Sequence, residues 1–108
     1  MTKQILDTLS DKIELVSKDY ELTHEIDRNS DWFLLKLHEE LGELTQAYLL
    51  LNGQAKSKNR SADELQEKLT EELADVFCHV LLFARNNNID VINALEKKWF
   101  KHLPKDSL

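Results

Sequence analysis

Residues 73–84 read Leu-Ala-Asp-Val-Phe-Cys-His-Val-Leu-Leu-Phe-Ala. Only Asp75 and His79 are strongly polar in this run. Its apolar residues continue an upstream seam, Leu65, Leu69, Leu73, Val76, Val80, Phe83, spaced by threes and fours. That period is helical, and a helix apolar on nearly every side is expected to be buried on nearly every side. Asp75 then falls where an unpaired carboxylate costs several kcal/mol or takes up a proton. At about 100° per residue, Glu72, Asp75 and His79 share one stripe within about 60°.

The pattern extends in both directions. Leu34, Leu37, Leu41, Leu44, Tyr48 and Leu51 form the seam of a preceding helix, with Ser30 read as its N-cap and Asp31 in its first turn. Asn52-Gly53 ends it, residues 54–60 form a polar loop, and Ser61 with Glu64 makes a capping box for the next helix. A first helix from Thr2 carries Ile5, Leu9, Ile13, Val16 and Tyr20 on one face. Residues 23–29 loosen into a connection. After Asn86-Asn87-Asn88, Asp90 caps a short last helix bearing Val91, Ile92, Leu95, Trp99 and Leu103, which Pro104 stops.

Composition agrees. Twenty Leu stand against four Val and five Ile, with two Gly and one Pro in 108 residues. So few turn-formers exclude a β-sandwich. The expected fold is all-α: a four-helix protomer forming one domain over residues 1–108. Residues 1–29 form its N-terminal part and residues 30–104 its motif-bearing part. Such a short chain leaves apolar helix faces over, so a helical bundle completed by homo-oligomerisation is expected. A net charge of −6 argues against nucleic-acid or acidic-membrane partners. The single Cys78 forbids an intrachain disulfide and suits a reducing, cytoplasmic setting. No apolar run is long enough to span a membrane, and Met-Thr-Lys-Gln does not open a signal peptide.

The acids of the second helix are also interleaved with apolar residues. Glu40 shares its face with Phe33, Ala47 and Leu51, and Glu43 lies between Trp32/Leu50 and Ala47. Antiparallel helices joined by a short loop would bring Glu40 and Glu43 together with Glu72 and Asp75. Like charges that close need protons or a cation, and an oxygen-only donor set suits Mg²⁺ or Mn²⁺ rather than Zn²⁺. The one Glu-x-x-His, Glu21-x-x-His24, lies outside these stripes, which speaks against a di-iron bundle. His79 reads as a hydrogen-bonded core histidine rather than a ligand, and could serve as a supporting partner to Asp75.

Taken together, Leu37-His-Glu-Glu-Leu-Gly-Glu-Leu44 and Glu71-Glu-Leu-Ala-Asp-Val-Phe77 resemble the MazG-type nucleotide pyrophosphohydrolases of the all-α NTP pyrophosphatase superfamily. The paired pattern is Glu40-x-x-Glu43 followed by Glu72-x-x-Asp75, and the resemblance runs from about Trp32 to Pro104. It implies homodimers or dimers of dimers that use Mg²⁺ to hydrolyse nucleoside triphosphates to monophosphate and pyrophosphate, by water attack at the α-phosphorus. Carried over, it makes Glu40, Glu43, Glu72 and Asp75 the metal ligands, with Glu39 orienting or deprotonating the attacking water. Lys36, Lys98 and Lys101 are candidate phosphate contacts, and Trp32 a candidate for stacking on the base. No P-loop or nucleophile triad is present, and hydrolysis at a metal-held phosphate requires neither. Two relatives in the same superfamily fit as alternatives, the phosphoribosyl-ATP pyrophosphatases and the dUTP or dCTP pyrophosphatases. So does a non-catalytic helical dimerisation or regulatory module, with carboxylates but no metal.

Overall fold

The computed structural model describes residues 1–53 and 59–106, so residues 54–58 of the expected loop lie outside the described residues. The described chain is all-helical, without strands. Helix α1 spans Thr2–His24, α2 Ser30–Leu51, α3 Ala62–Asn86 and α4 Val91–Lys98, followed by a 3-10 turn at Phe100–His102.

The helix ends follow from local chemistry. Asn29, not Ser30, caps α2: its side chain accepts the Trp32 amide at 2.9 Å, and Ser30 is already helical. Asn is as good a cap as Ser, so the sequence leaves adjacent candidates level. Gly53 takes the left-handed backbone after α2 at φ 73°, whereas Asn52 before it does not. The capping box forms as expected, with Ser61 accepting from the Glu64 amide and Glu64 from the Ser61 amide. Asn88, at φ 55°, turns the chain out of α3, and Asp90 caps α4 by accepting the Asn93 amide at 3.0 Å.

The principal packing joins α2 to α3, and α1 lies against α3. The core is small: Phe33, Ala47, Leu65, Leu81, Leu82 and Ala84 are the buried apolar residues. The radius of gyration is 17.0 Å, against about 13 Å for a compact chain of this length. The described chain is open. Burial of α3 on every side therefore does not occur within it: Leu73 is 58% exposed, Phe77 48% and Val80 40%. Their spacing puts these three residues on one helix face. Asp75 is exposed as well. Along α1, Ile5, Leu9, Val16 and Tyr20 are also exposed. No helix among the described residues is long and apolar enough to cross a membrane.

The connection after α1 is held more firmly than its polar composition suggested. Arg28 turns back onto α1, pairs with Glu14 and Glu21, donates to Ser17 Oγ at 3.1 Å, and stands over the Phe33 ring at 5.2 Å from its centroid. Arg85 of α3 reaches α1 from the other side, donating to Asp11 at 2.8 Å and lying 3.3 Å from Glu14. These contacts fix α1 to the α2–α3 pair.

Candidate metal centre

The buried face where α2 meets α3 carries carboxylates as well as core residues. Glu40 of α2 is 7% exposed and Glu72 of α3 is 4% exposed. Both are where the apolar period placed them, on the packing faces of their helices. One carboxylate oxygen each of Glu40, Glu43 and Glu72 lies within 4.8 Å of the others. Glu43 itself is exposed, so the cluster has two buried members and one at the surface.

Lysines neutralise only its edges. Lys68 Nζ lies 2.7 Å from Glu72 Oε1, and Lys36 Nζ lies 3.6 Å from Glu40 Oε1 and 3.3 Å from Glu39 Oε2. The second oxygens, Glu40 Oε2 and Glu72 Oε2, are buried and have no hydrogen-bond partner. A buried acceptor left unpaired is costly, and buried polar atoms are rarely left so. Burial pushes the Glu40 carboxyl up to about 7, helped by the charges of Glu43 and Asp75 and opposed by Lys36. Lys68 is held above its ordinary range by its hydrogen bond to Glu72. For Lys36, burial pulls down, but Glu39 and Glu40 outweigh it and the net shift is upward.

Three carboxylates with donor oxygens within 4.8 Å of one another, two of them on residues that also carry an unpartnered buried oxygen, suit a hard cation. Glu40, Glu43 and Glu72 would hold it. Asp75 is not among the three whose donor atoms converge. It lines the adjoining cavity and acts on Glu40 through its charge.

That cavity, about 430 Å³, opens between α1, α2 and α3. Its lining includes Tyr20, Trp32, Lys36, Glu40, Asp75 and His79. Trp32 meets Phe33 edge-on at 5.1 Å and His79 at 5.9 Å between ring centroids. His79 makes no hydrogen bond to Asp75; its Nδ1 is buried without a partner, and burial lowers its pKa. Its expected role beside Asp75 is therefore absent in this geometry. Glu39 is exposed and held by Lys36. Lys98 and Lys101 are exposed and line neither this cavity nor a second one of about 340 Å³ beyond the cluster.

That second cavity is lined by Glu43, Gln46, Ala47, Leu50, Arg60, Lys68 and Glu72. The sequence reading missed Lys68 and Arg60. The one available signal was Lys68 four residues before Glu72, the spacing of a helical ion pair. Comparison of the chain with family models, curated proteins and solved structures finds no match.

Proposed function

We propose that this protein is a Mg²⁺-dependent nucleotide pyrophosphohydrolase of the MazG type, with Mn²⁺ able to substitute. It converts a ribo- or deoxyribonucleoside triphosphate and water to the monophosphate and pyrophosphate, with attack at the α-phosphorus. The observation that carries this reading is the pair of orphaned buried oxygens on Glu40 and Glu72, beside a cavity with an aromatic wall. The motif resemblance supplies the bond that is cut.

Bound at Glu40, Glu43 and Glu72, the ion would neutralise phosphate charge and make a bound water more acidic. Trp32 offers its ring to a base in the cavity. Lys36, between Glu39 and Glu40, can exchange a carboxylate for a phosphate oxygen. Glu39, exposed one residue from the cluster, is the group to orient or deprotonate the attacking water.

A non-catalytic dimerisation module is the second reading. It is favoured by the apolar residues that α1 and α3 leave exposed. The two readings share one consequence: Leu73, Phe77 and Val80 of α3 meet a second copy of the chain. They differ over the ion. Under the enzyme reading, Mg²⁺ raises the melting temperature, and a nucleotide panel including dUTP, dCTP and phosphoribosyl-ATP shows pyrophosphate release. In ¹⁸O-water the label enters the monophosphate. No stabilisation by Mg²⁺ and no turnover leave the dimerisation module. Orthophosphate with a diphosphate removes the MazG assignment.

A further inference from the structure

The first cavity takes residues 32–40 of α2 and 75–82 of α3, the second residues 43–50 and 68–72, so they follow one another along the helix pair. Each has two basic residues, Lys12 and Lys36 in the first and Arg60 and Lys68 in the second, but only the first has aromatic rings. Glu40 lines the first, whose lining includes Trp32, Tyr20, Ile13, Val16 and Leu82. Glu43 and Glu72 line the second, whose basic residues are Arg60 and Lys68. The two linings share no residue, and donor atoms of Glu40, Glu43 and Glu72 lie within 4.8 Å. Along the α2–α3 pair the order is therefore a cavity with aromatic rings, the carboxylates, and a cavity with none whose basic residues are Arg60 and Lys68. A nucleoside triphosphate has the same order: a flat base, an α-phosphate, and a β,γ-diphosphate carrying most of the charge.

We infer that Arg60 and Lys68 form the subsite for the pyrophosphate half of the substrate, the leaving group. This rests on the pyrophosphohydrolase reading and fixes the direction in which the substrate lies. Arg60 is exposed and pairs with no carboxylate among the described residues. A guanidinium there can grip two phosphate oxygens at once. Lys68 is bound to Glu72 at 2.7 Å, yet its side chain is 47% exposed. If a cation takes over Glu72, Lys68 is released on the side where the diphosphate would arrive. Glu72, whose Oε2 is buried without a partner, lines this cavity and belongs to the cluster, so cluster and subsite meet there. Phosphate binding then requires neither Lys98 nor Lys101.

The test uses inorganic pyrophosphate as probe, titrated calorimetrically into the full chain at saturating Mg²⁺. Mg²⁺ affinity is measured separately. Three proteins are compared: wild type, Arg60→Gln/Lys68→Met, and Lys98→Met/Lys101→Met. Loss of charge-assisted contacts should weaken pyrophosphate about tenfold to a hundredfold in the first variant. Mg²⁺ affinity there should hold or improve, because Glu72 loses a competing cation. The second variant should match wild type. Arg60→Gln alone, at an exposed position before the α3 cap, should give part of the loss and guards against a fold defect in the double variant. Equal pyrophosphate binding in all proteins, or a loss confined to Lys98→Met/Lys101→Met, overturns the subsite while leaving the metal centre standing. Wild type that binds no Mg²⁺ overturns both.

Discussion

Two groups of acidic side chains lie between helices in this protein, and they are neutralised in opposite ways. On the α1 side, Asp11, Glu14 and Glu21 meet Arg28 and Arg85, and Glu14 receives both guanidiniums. On the α2–α3 side, Glu40, Glu43 and Glu72 meet only Lys36 and Lys68 at the edges, and two oxygens remain without partners. Three acids meet two bases on either side, but on the α1 side every acid has an arginine partner, and such pairing fastens one element to another. Unmatched buried charge does not stabilise the fold, and its presence in a small protein with a thin core points to a ligand. Substitutions on either side of this contrast should therefore fail in different ways.

The largest effect is expected at Glu72. Glu72→Gln keeps the shape and removes the buried carboxylate charge proposed to hold the ion. Losing even an outer partner of a metal ligand weakens binding by about 10–100-fold. A direct ligand should cost at least that in Mg²⁺ affinity and in turnover. Without metal, the Glu72→Gln variant should melt close to wild type, since the repulsion relieved from Glu40 and Glu43 is set against the lost ion pair with Lys68. A normal Mg²⁺-induced melting shift in this variant would remove the metal centre. The same kind of change at exposed Asp75, outside the converging triad, tests whether its charge alone matters: activity of Asp75→Asn should drop less than that of Glu72→Gln.

The exposed faces come next. Phe77→Glu places a charge on the apolar face of α3 that also bears Leu73 and Val80. If a second copy covers that face, the variant should be monomeric by light scattering at micromolar concentration, where wild type is at least dimeric. A wild-type chain that is itself monomeric at that concentration dismisses the partner copy.

On the matched side, the expected change is in stability alone. Arg28→Met strips Glu14 and Glu21 of a nearly buried partner and removes the contact with the Phe33 ring. A loss of about 2 kcal/mol is expected, or roughly 10 °C in melting temperature for a domain of this size. The melting shift on adding Mg²⁺ should stay as large as in wild type. A variant that keeps its melting temperature but loses the Mg²⁺ response would reverse the roles assigned to the two groups.

The contrast itself was only half legible in the sequence. Helix period placed Glu40 and Glu72 correctly on packing faces, because burial repeats with the turn of the helix. The same period placed Asp75 with them, and there it misled. It says which residues share a stripe, but the rotation of α3 against α2 decides which edge of the stripe is covered. Leu73 and Phe77 show that rotation directly, since both are exposed where the apolar run promised burial. The arginine clasp was invisible for another reason. Arg28 and Arg85 are 57 positions apart and meet only through Glu14 of α1, a contact that no local pattern encodes. Lys68 was legible in principle, four residues from Glu72, yet such spacing is common on solvated helix faces.

The smallest expected effect is a pH dependence, and its sign separates the two groups again. Burial, then the charges of Glu43 and Asp75, raise Glu40 to about 7 from an ordinary 4.5. A carboxyl whose pKa is higher in the folded state contributes stability below the unfolded value. That contribution is lost as pH rises toward the folded value. Metal-free wild type should therefore lose stability between about pH 4.5 and 7 on account of this group. His79, whose pKa burial lowers, acts in the opposite sense, losing stability as pH falls. Asp75, Glu39 and Lys36 face these groups as well, so the wild-type curve alone is a sum. The difference between Glu40→Gln and wild type cancels most of the shared contributions. In metal-free protein that difference should favour the variant by a few degrees of melting temperature at pH 8 and shrink toward zero by pH 4.5. Saturating Mg²⁺ should narrow it at pH 8, because the ion stabilises the ionised wild-type site and has lost a ligand in the variant. A difference flat from pH 4.5 to 8 would mean that Glu40 is solvated after all, leaving the α2–α3 carboxylates as ordinary surface acids.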